Sequence, residues 1–328
     1  MILAEFAFAL FLILAGAELF TNSIEWLGKR LNLSEGAVGS VLAAVGTAMP
    51  EAIIPVIALL YGHGDAAIEI GTGAILGAPL MLSTIAIFIT GLAAIVFAKR
   101  RKGVGIHADT AIMTRDMRFF VVLYTLALVA GIVADQNIKT TIAIGLVLMY
   151  VYYVYRTVKS GGDMSDTELA PLIFARKRRN PPTIMIFMQV VIALLLIIMG
   201  GHLFVDAIEK GALLLGISYF VLATLIIPIA TELPEKFNSV IWIRQRKDTL
   251  ALGNITGAMV FQSSLIPAIG IAMSPWKLEG IALTTGILTL MAGLLLLLQL
   301  TLKKRLTPGM LLFNGLFYLA FIAIVLTV

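Results

Sequence analysis

The chain has 328 residues, of which 60% are hydrophobic and only 13% are charged. This composition, with a mean hydropathy of +1.01, excludes an ordinary soluble domain and is typical of a membrane protein. Because the sequence contains no cysteine, disulfides and thiolate metal sites are also excluded. The net charge of +5 comes from basic residues between apolar segments, so it does not indicate nucleic-acid binding.

Apolar segments along the chain predict ten membrane-spanning helices. The first segment lacks a basic start and a small-residue cleavage site, so we expect a mature helix there and not a signal peptide. In chain order the predicted helices are 2–22, 37–61, 68–98, 118–134, 139–157, 184–208, 212–242, 249–273, 279–300 and 308–327.

The loops between these helices predict the orientation. Most of the 24 Lys and Arg residues fall in alternate loops, which the positive-inside rule places in the cytoplasm. The sequence therefore predicts a multi-pass protein of the cell membrane with both termini outside.

The sequence contains an internal repeat, because residues 16–52 recur without a gap as residues 200–236. Each copy carries five predicted helices, an odd number, so the second copy must enter the membrane upside down. We expect an all-α membrane protein of two inverted five-helix repeats, residues 1–157 and 184–328, joined by a cytoplasmic linker, 158–183. In such folds the substrate site lies near the midplane, between the repeats.

Both copies of the repeat end in a polar motif inside an apolar run. A proline within a helix frees a carbonyl and is expected to interrupt the helix, and a threonine one turn before a glutamate adds oxygens on the same face. The two glutamates of these motifs could bind a cation, or they could form a structural polar pair that holds two kinked helices. Intramembrane carboxylates usually mark function, which favours the cation site. Because the motifs offer only oxygen ligands, they favour Ca²⁺, Na⁺, Mg²⁺ or H⁺ over Zn²⁺ or Cu. The motif residues are Thr47, Pro50 and Glu51 in the first copy, and Thr231, Pro234 and Glu235 in the second.

The second copy carries polar residues that the first lacks. Glu232 lies three residues before Glu235, on nearly the same helical face, so the site could hold three carboxylates, and charges this close favour protonation of one of them. Lys236 follows directly and could modulate the charge of the site; a local ion pair with Glu232, or a lysine that reaches for the interface, is the alternative. Gln262 could be a ligand, or it could only bond one helix to another.

A second glycine-rich motif follows the first in each copy. Gly73 and Gly77 in the first copy match Gly253 and Gly257 in the second, and these glycines are expected to let neighbouring helices approach closely. Asn254 belongs to the same motif and could be a ligand or a bond between helices.

These paired motifs resemble those of the cation/Ca²⁺ antiporter superfamily, especially the short prokaryotic sodium/calcium exchangers. Residues 46–51 (GTAMPE) and 230–235 (ATELPE) resemble the family motif GTSxPE, and residues 73–79 and 253–259 resemble the motif GNxxGSN. The resemblance implies that Glu51 and Glu235 are the paired Ca²⁺ carboxylates and that Thr47 and Thr231 offer oxygens to Ca²⁺ or Na⁺. Ala48 and Glu232 replace serines of the family pattern, and Leu82 stands at the repeat position of Gln262.

We therefore expect a secondary active antiporter, not an enzyme, that exports Ca²⁺ in exchange for a monovalent cation. Na⁺ follows from the family resemblance, and H⁺ from the altered site. A cation channel, or an exchanger of Mg²⁺ or Mn²⁺, is the alternative. No cofactor is expected, the partners are the transported cations and the lipid bilayer, and the protein is expected to function as a monomer.

Overall fold

The computed structural model of the chain describes residues 2–30, 49–62, 64–101, 103–160, 170–178 and 180–327. Within these ranges the side chains are described except at Gly28, Met49, Pro50, Arg101, Val158, Ser160 and 233–238.

In the described ranges all regular structure is helical. The helices in chain order are α1 (Ile2–Arg30), α2 (Met49–Tyr61), α3 (Gly64–Met81), a π-helical turn (Leu82–Ala86), α4 (Ile87–Val96), α5 (Ala98–Arg101), α6 (Thr110–Ile132), α7 (Gln136–Ser160), a 3₁₀ turn (Ile173–Ala175), α8 (Thr183–Leu215), α9 (Tyr219–Arg244), α10 (Asp248–Gln262), α11 (Leu265–Met273), α12 (Gly280–Lys303) and α13 (Pro308–Thr327).

Seven helical stretches in the described part are long and apolar enough to cross a membrane, which confirms the predicted membrane α class. The count of ten stays a prediction. The remaining predicted helices correspond to α2, whose predicted first half lies outside the described residues, to α6, which carries charges in its first turns, and to α9, where six side chains are not described. The seven stretches are Ile2–Leu27, Gly64–Val96, Gln136–Thr157, Thr183–Leu215, Asp248–Met273, Gly280–Lys303 and Pro308–Thr327.

Four predicted helix ends were wrong by seven residues or more. α1 continues to Arg30, and not to residue 22, and α6 begins at Thr110, eight residues before the predicted start. α8 continues to Leu215, and not to residue 208, so that α9 begins at Tyr219 and not at residue 212. At α6 the reason is a side-chain cap, because the Asp109 carboxylate accepts hydrogen bonds from the backbone N–H groups of Ala111 and Ile112. Residues 110–117, which the sequence assigned to a loop, are therefore the first part of a helix.

The first helices of the two sequence repeats, α1 and α8, contact each other through paired glycines. An ideal Cβ built on Gly16 would lie 2.9 Å from the Ala193 carbonyl oxygen, and one on Gly200 would lie 2.9 Å from the Ala9 carbonyl oxygen. Ala9 and Ala193 occupy equivalent positions of the repeat. The two contacts are therefore reciprocal, as in an interface with two-fold symmetry.

α3 packs directly on α9, again through glycine. A Cβ on Gly73 would lie 2.7 Å from the Phe220 carbonyl oxygen, and one on Gly77 would lie 2.6 Å from the Thr224 carbonyl oxygen. The Thr224 hydroxyl donates a hydrogen bond of 3.2 Å to the Gly73 carbonyl across the same contact. Two backbones so close fix the position of α9 relative to α3. An ideal Cβ built on Gly253 would meet no neighbouring helix within 4 Å among the described residues. The segment equivalent to the start of α9, residues 35–48, lies outside the described residues.

In the second copy of the repeat, the helix interruption does not occur where the sequence predicted it, and the predicted interruption at Pro50 adjoins the undescribed residues 31–48. α9 runs through Pro234 without a break, because a proline removes only one backbone donor and the helical hydrogen bonds resume on both sides. The irregular segments follow the glycine motifs instead, as the π-helical turn Leu82–Ala86 and as the non-helical Ser263 and Ser264 between α10 and α11. The Asn314 amide of α13 donates a hydrogen bond of 2.9 Å to the Ser83 carbonyl, and this bond satisfies an acceptor of the π turn.

Candidate functional site

Glu232 is a buried carboxylate near the middle of α9. Its residue is 2% exposed, and α9 extends 13 residues before it and 12 after it. At 1.5 Å per residue, Glu232 lies about 20 Å from one end of the helix and about 18 Å from the other. Glu232 therefore lies farther from each end of α9 than half the thickness of a hydrocarbon core, which is about 30 Å.

Gln262 is the described hydrogen-bond donor to this carboxylate. Its Nε2 atom donates to Glu232 Oε1 over 3.3 Å, and the residue is fully buried. Gln262 is the last residue of α10, and the spanning stretch Asp248–Met273 continues after the break as α11, so this side chain also lies near mid-span. The sequence predicted both residues as members of the site, and the structure brings them into direct contact.

Glu51 lies at a similar depth on α2. It is 3% exposed and ten residues before Tyr61, about 15 Å along the helix axis. α2 and α3 meet at one membrane side, and α9 begins on that same side, because Glu69 of α3 accepts hydrogen bonds from the Ser218 hydroxyl and the Phe220 N–H. Counted from that side, Glu51 and Glu232 are therefore buried to comparable depths.

Apolar packing holds α2 and α9 together beside these carboxylates. Ile54 of α2 shares one buried cluster with Ile227 and Ala230 of α9, which also includes residues of α1, α3 and α8. Since Ile54 is three residues from Glu51 and Ala230 is two residues from Glu232, the cluster anchors both helices next to their acidic positions.

The threonine before Glu232 is also buried. Thr231 is 1% exposed, and its hydroxyl donates 2.9 Å to the Ile227 carbonyl of its own helix. A hydroxyl that donates in this way keeps its oxygen lone pairs for an incoming cation. Asn254, in the α10 glycine motif, is half-buried.

Several predicted site residues lie outside what the structure describes. Thr47 is in the undescribed segment 31–48, and the side chains of Glu235 and Lys236 are among those not described. Among the described residues, no three His, Asp or Glu side chains are grouped in a way that could hold a metal ion. The expectation of three carboxylates in one site therefore stays a prediction.

The sequence missed a second buried polar cluster, around Asp116 of α6. Asp116 is 2% exposed and accepts hydrogen bonds from the Thr256 hydroxyl at 2.9 Å and the Tyr153 hydroxyl at 3.1 Å, and it pairs with Arg115 at 3.1 Å. Thr256 lies in the glycine motif of α10, the helix that ends at Gln262. The signal was an acid within a basic segment, and the sequence assigned that segment to a loop.

Buried carboxylate and amide groups inside a helical membrane protein are typical of transporters of hydrophilic solutes, since such groups in hydrocarbon mark ion pathways. The sodium/calcium exchanger protein family profile matches residues 1–159 and 185–327. The chain belongs to this family, whose members are transporters and not enzymes.

Individual relatives agree with this assignment. The chain is 26% identical over 308 residues to the putative antiporter CaxA of Alkalimonas amylolytica, which covers 90% of this chain and 88% of the relative. The crystal structure of the H⁺/Ca²⁺ exchanger CAX superposes with a TM-score of 0.76 at 17% identity, covering 99% of this chain and 82% of that chain. A structure of the sodium-calcium exchanger NCX_Mj superposes with a TM-score of 0.62 at 21% identity, covering 98% and 99%. The two superpositions establish a shared fold.

Proposed function

We propose that this protein is a secondary active antiporter that exports Ca²⁺ from the cytoplasm in exchange for a monovalent cation, H⁺ or Na⁺. The observation that carries the proposal is the buried Glu232–Gln262 pair, which joins the middle of α9 to the end of α10 in a chain from the sodium/calcium exchanger family. Membership of the family supports Ca²⁺ and a monovalent cation as substrates.

The chemistry of the pair suits a hard cation. Because Gln262 uses its Nε2 atom on Glu232, its carbonyl oxygen is turned away from that bond, and this oxygen has no hydrogen-bond partner among the described residues. A carboxylate and an amide oxygen held together are ligands that Ca²⁺ prefers. In the proposed site, Glu51, Glu235, Thr47 and Thr231 complete the oxygen ligands, and Lys236 modulates the charge.

The proposed architecture is ten spanning helices in two inverted five-helix repeats, residues 1–157 and 184–328, with both termini outside the cell and a monomer as the functional unit. The reciprocal contacts of Gly16 and Gly200 support the symmetry of the two repeats, since each glycine packs on the equivalent residue of the other. Alternating access would then expose one central site to the two sides in turn.

The test is ⁴⁵Ca²⁺ flux into proteoliposomes under an imposed H⁺ or Na⁺ gradient. We expect one of these gradients to drive flux, and Glu51→Gln, Glu232→Gln and Glu235→Gln each to reduce it at least tenfold. Glu209→Gln, at an exposed position of α8, is the matched control and should transport normally.

Three outcomes would contradict the proposal. If neither gradient drives Ca²⁺ flux, antiport is wrong, and if the three glutamine variants match the Glu209 control, the site is wrong. Single-channel currents would favour the channel instead. Competition of Mg²⁺ or Mn²⁺ against ⁴⁵Ca²⁺ in the same vesicles separates a Ca²⁺ exchanger from an exchanger of another divalent cation.

A further inference from the structure

A basic cavity lies where the ends of three helices meet, and none of its lining residues belongs to the proposed cation site. It has a volume of about 650 Å³ and lies between the first turns of α6, the last turns of α7 and the end of α12. Four cationic side chains line it, namely Arg115, Arg118, Arg156 and Lys304. No acidic residue is among its described lining residues, which also include Thr110, Thr114 and Thr301.

The four cations have different surroundings. Arg115 pairs with the buried Asp116, which holds its guanidinium at the cavity wall. Arg156 lies over the Tyr152 ring and donates to the Tyr152 hydroxyl, so it is oriented by an uncharged partner. Arg118 and Lys304 are exposed, and no described carboxylate lies within 4.0 Å of them or of Arg156. The cavity therefore concentrates positive charge that the described part of the protein does not neutralise.

Exposed apolar side chains lie near the cavity on each of its three helices. Val122 of α6, Leu148 of α7 and Leu298 of α12 are 47%, 64% and 52% exposed. Each lies one helical turn from a lining residue on its own helix, on the side of the membrane span. A ligand with a charged end and long apolar chains can therefore place the charge among the cations and lay the chains along these helices.

We propose that this cavity binds the phosphate headgroup of an anionic phospholipid from the cytoplasmic leaflet. Basic pockets between membrane helices on the cytoplasmic side bind anionic headgroups, and the loop charges of this chain assign this side to the cytoplasm. The hydroxyls of Thr110 and Thr114 can donate hydrogen bonds to phosphate oxygens, whereas the Thr301 hydroxyl already donates to the Leu297 carbonyl. The guanidinium groups supply bidentate hydrogen bonds. The adjoining apolar surface favours a lipid over free phosphate, which would gain nothing from it.

The test is native mass spectrometry of the purified full chain, titrated with phosphatidylglycerol, with phosphatidylcholine or with inorganic phosphate. The cavity variant combines Arg118→Gln, Arg156→Gln and Lys304→Gln. The matched control combines Lys99→Gln, Arg100→Gln and Lys177→Gln, three exposed cations outside the cavity lining. We expect phosphatidylglycerol to bind the cavity variant on the order of 100-fold more weakly than the unmodified protein, since each basic residue contributes roughly fivefold. The control should bind normally.

Each other result overturns the proposal. Equal losses in the two variants would mean a general attraction of the basic surface, and no loss in either would mean that the cavity is empty of lipid. If phosphatidylcholine binds as tightly as phosphatidylglycerol, the cavity does not require an anionic headgroup. If inorganic phosphate binds and neither lipid does, the ligand is free phosphate and not a lipid. If the cavity variant does not fold, the single variant Arg118→Gln decides, with a roughly fivefold loss expected. Lipid binding is measured without ion gradients, so its failure leaves the antiport proposal untouched.

Discussion

The close packing of α3 on α9 predicts that Gly77→Ala destabilises the protein. The new methyl group would lie 2.6 Å from the Thr224 carbonyl oxygen and 2.9 Å from the Pro228 ring, and both belong to a helix that cannot rotate away like a flexible side chain. The helices must separate by about 0.8 Å to bring the shortest contact to an ordinary 3.4 Å. A gap of this size forfeits roughly a quarter to a half of the local dispersion energy.

The magnitude follows from two opposing effects. Overpacking of this kind costs about 1–3 kcal/mol, whereas alanine gains about 1 kcal/mol over glycine in helix propensity. Gly145→Ala in α7 is the matched control, because no described atom lies within 4 Å of its added methyl group, so it shows the propensity gain alone. The difference between the two variants is therefore the overpacking itself, about 1–3 kcal/mol.

Thermal unfolding of the two purified variants in detergent measures this difference. At about 2 °C per kcal/mol for a chain of this size, Gly77→Ala should melt roughly 2–6 °C below Gly145→Ala. It should also reduce Ca²⁺ flux, since α9 carries Glu232. Equal melting temperatures would refute the reasoning, because they would mean that α3 and α9 separate without cost.

Two more predictions concern single hydrogen-bonding groups. Gln262→Leu removes a donor to the Glu232 carboxylate and should destabilise the protein by about 1.5–3 kcal/mol, and a second substitution, Glu232→Ala, should recover part of this loss. A double-mutant cycle of melting curves measures the coupling between the two side chains, and strictly additive effects would contradict this prediction. Asn314→Leu leaves the Ser83 and Ala292 carbonyls without their amide donor and should cost about 1–3 kcal/mol in thermal unfolding. An unchanged melting temperature would show that neither carbonyl needs this side-chain donor.

The sequence was sufficient for the class of protein because composition and repeat are properties of residue order alone. Residues 16–52 and 200–236 align without the structure, and the family motifs lie within and after them. The glycine contacts of Gly73 and Gly77 were also predictable, since small residues let membrane helices approach.

The internal geometry of the site was less predictable. Glu232 and Gln262 were each predicted as ligands, but their contact joins two helices across a turn, and no spacing rule gives the packing of those helices. Pro234 was expected to interrupt α9 because proline lacks an N–H, yet one missing bond among many does not break a packed helix. Asp116 was missed because a charge is read as a loop signal until a neighbouring helix is known to bury it.

The reciprocal contacts of Gly16 and Gly200 have an evolutionary consequence. In a pair of identical five-helix chains, one mutation at such a glycine would alter both contacts at once. In a single chain each contact changes alone, so the two halves can diverge while their shared surface is kept. The two halves of this chain do differ in this way, since Glu232 and Gln262 form a polar pair where the first half carries Ala48 and Leu82 at the equivalent positions. The contact between α1 and α8 is thus kept by both halves, whereas the polar pair belongs to the second half.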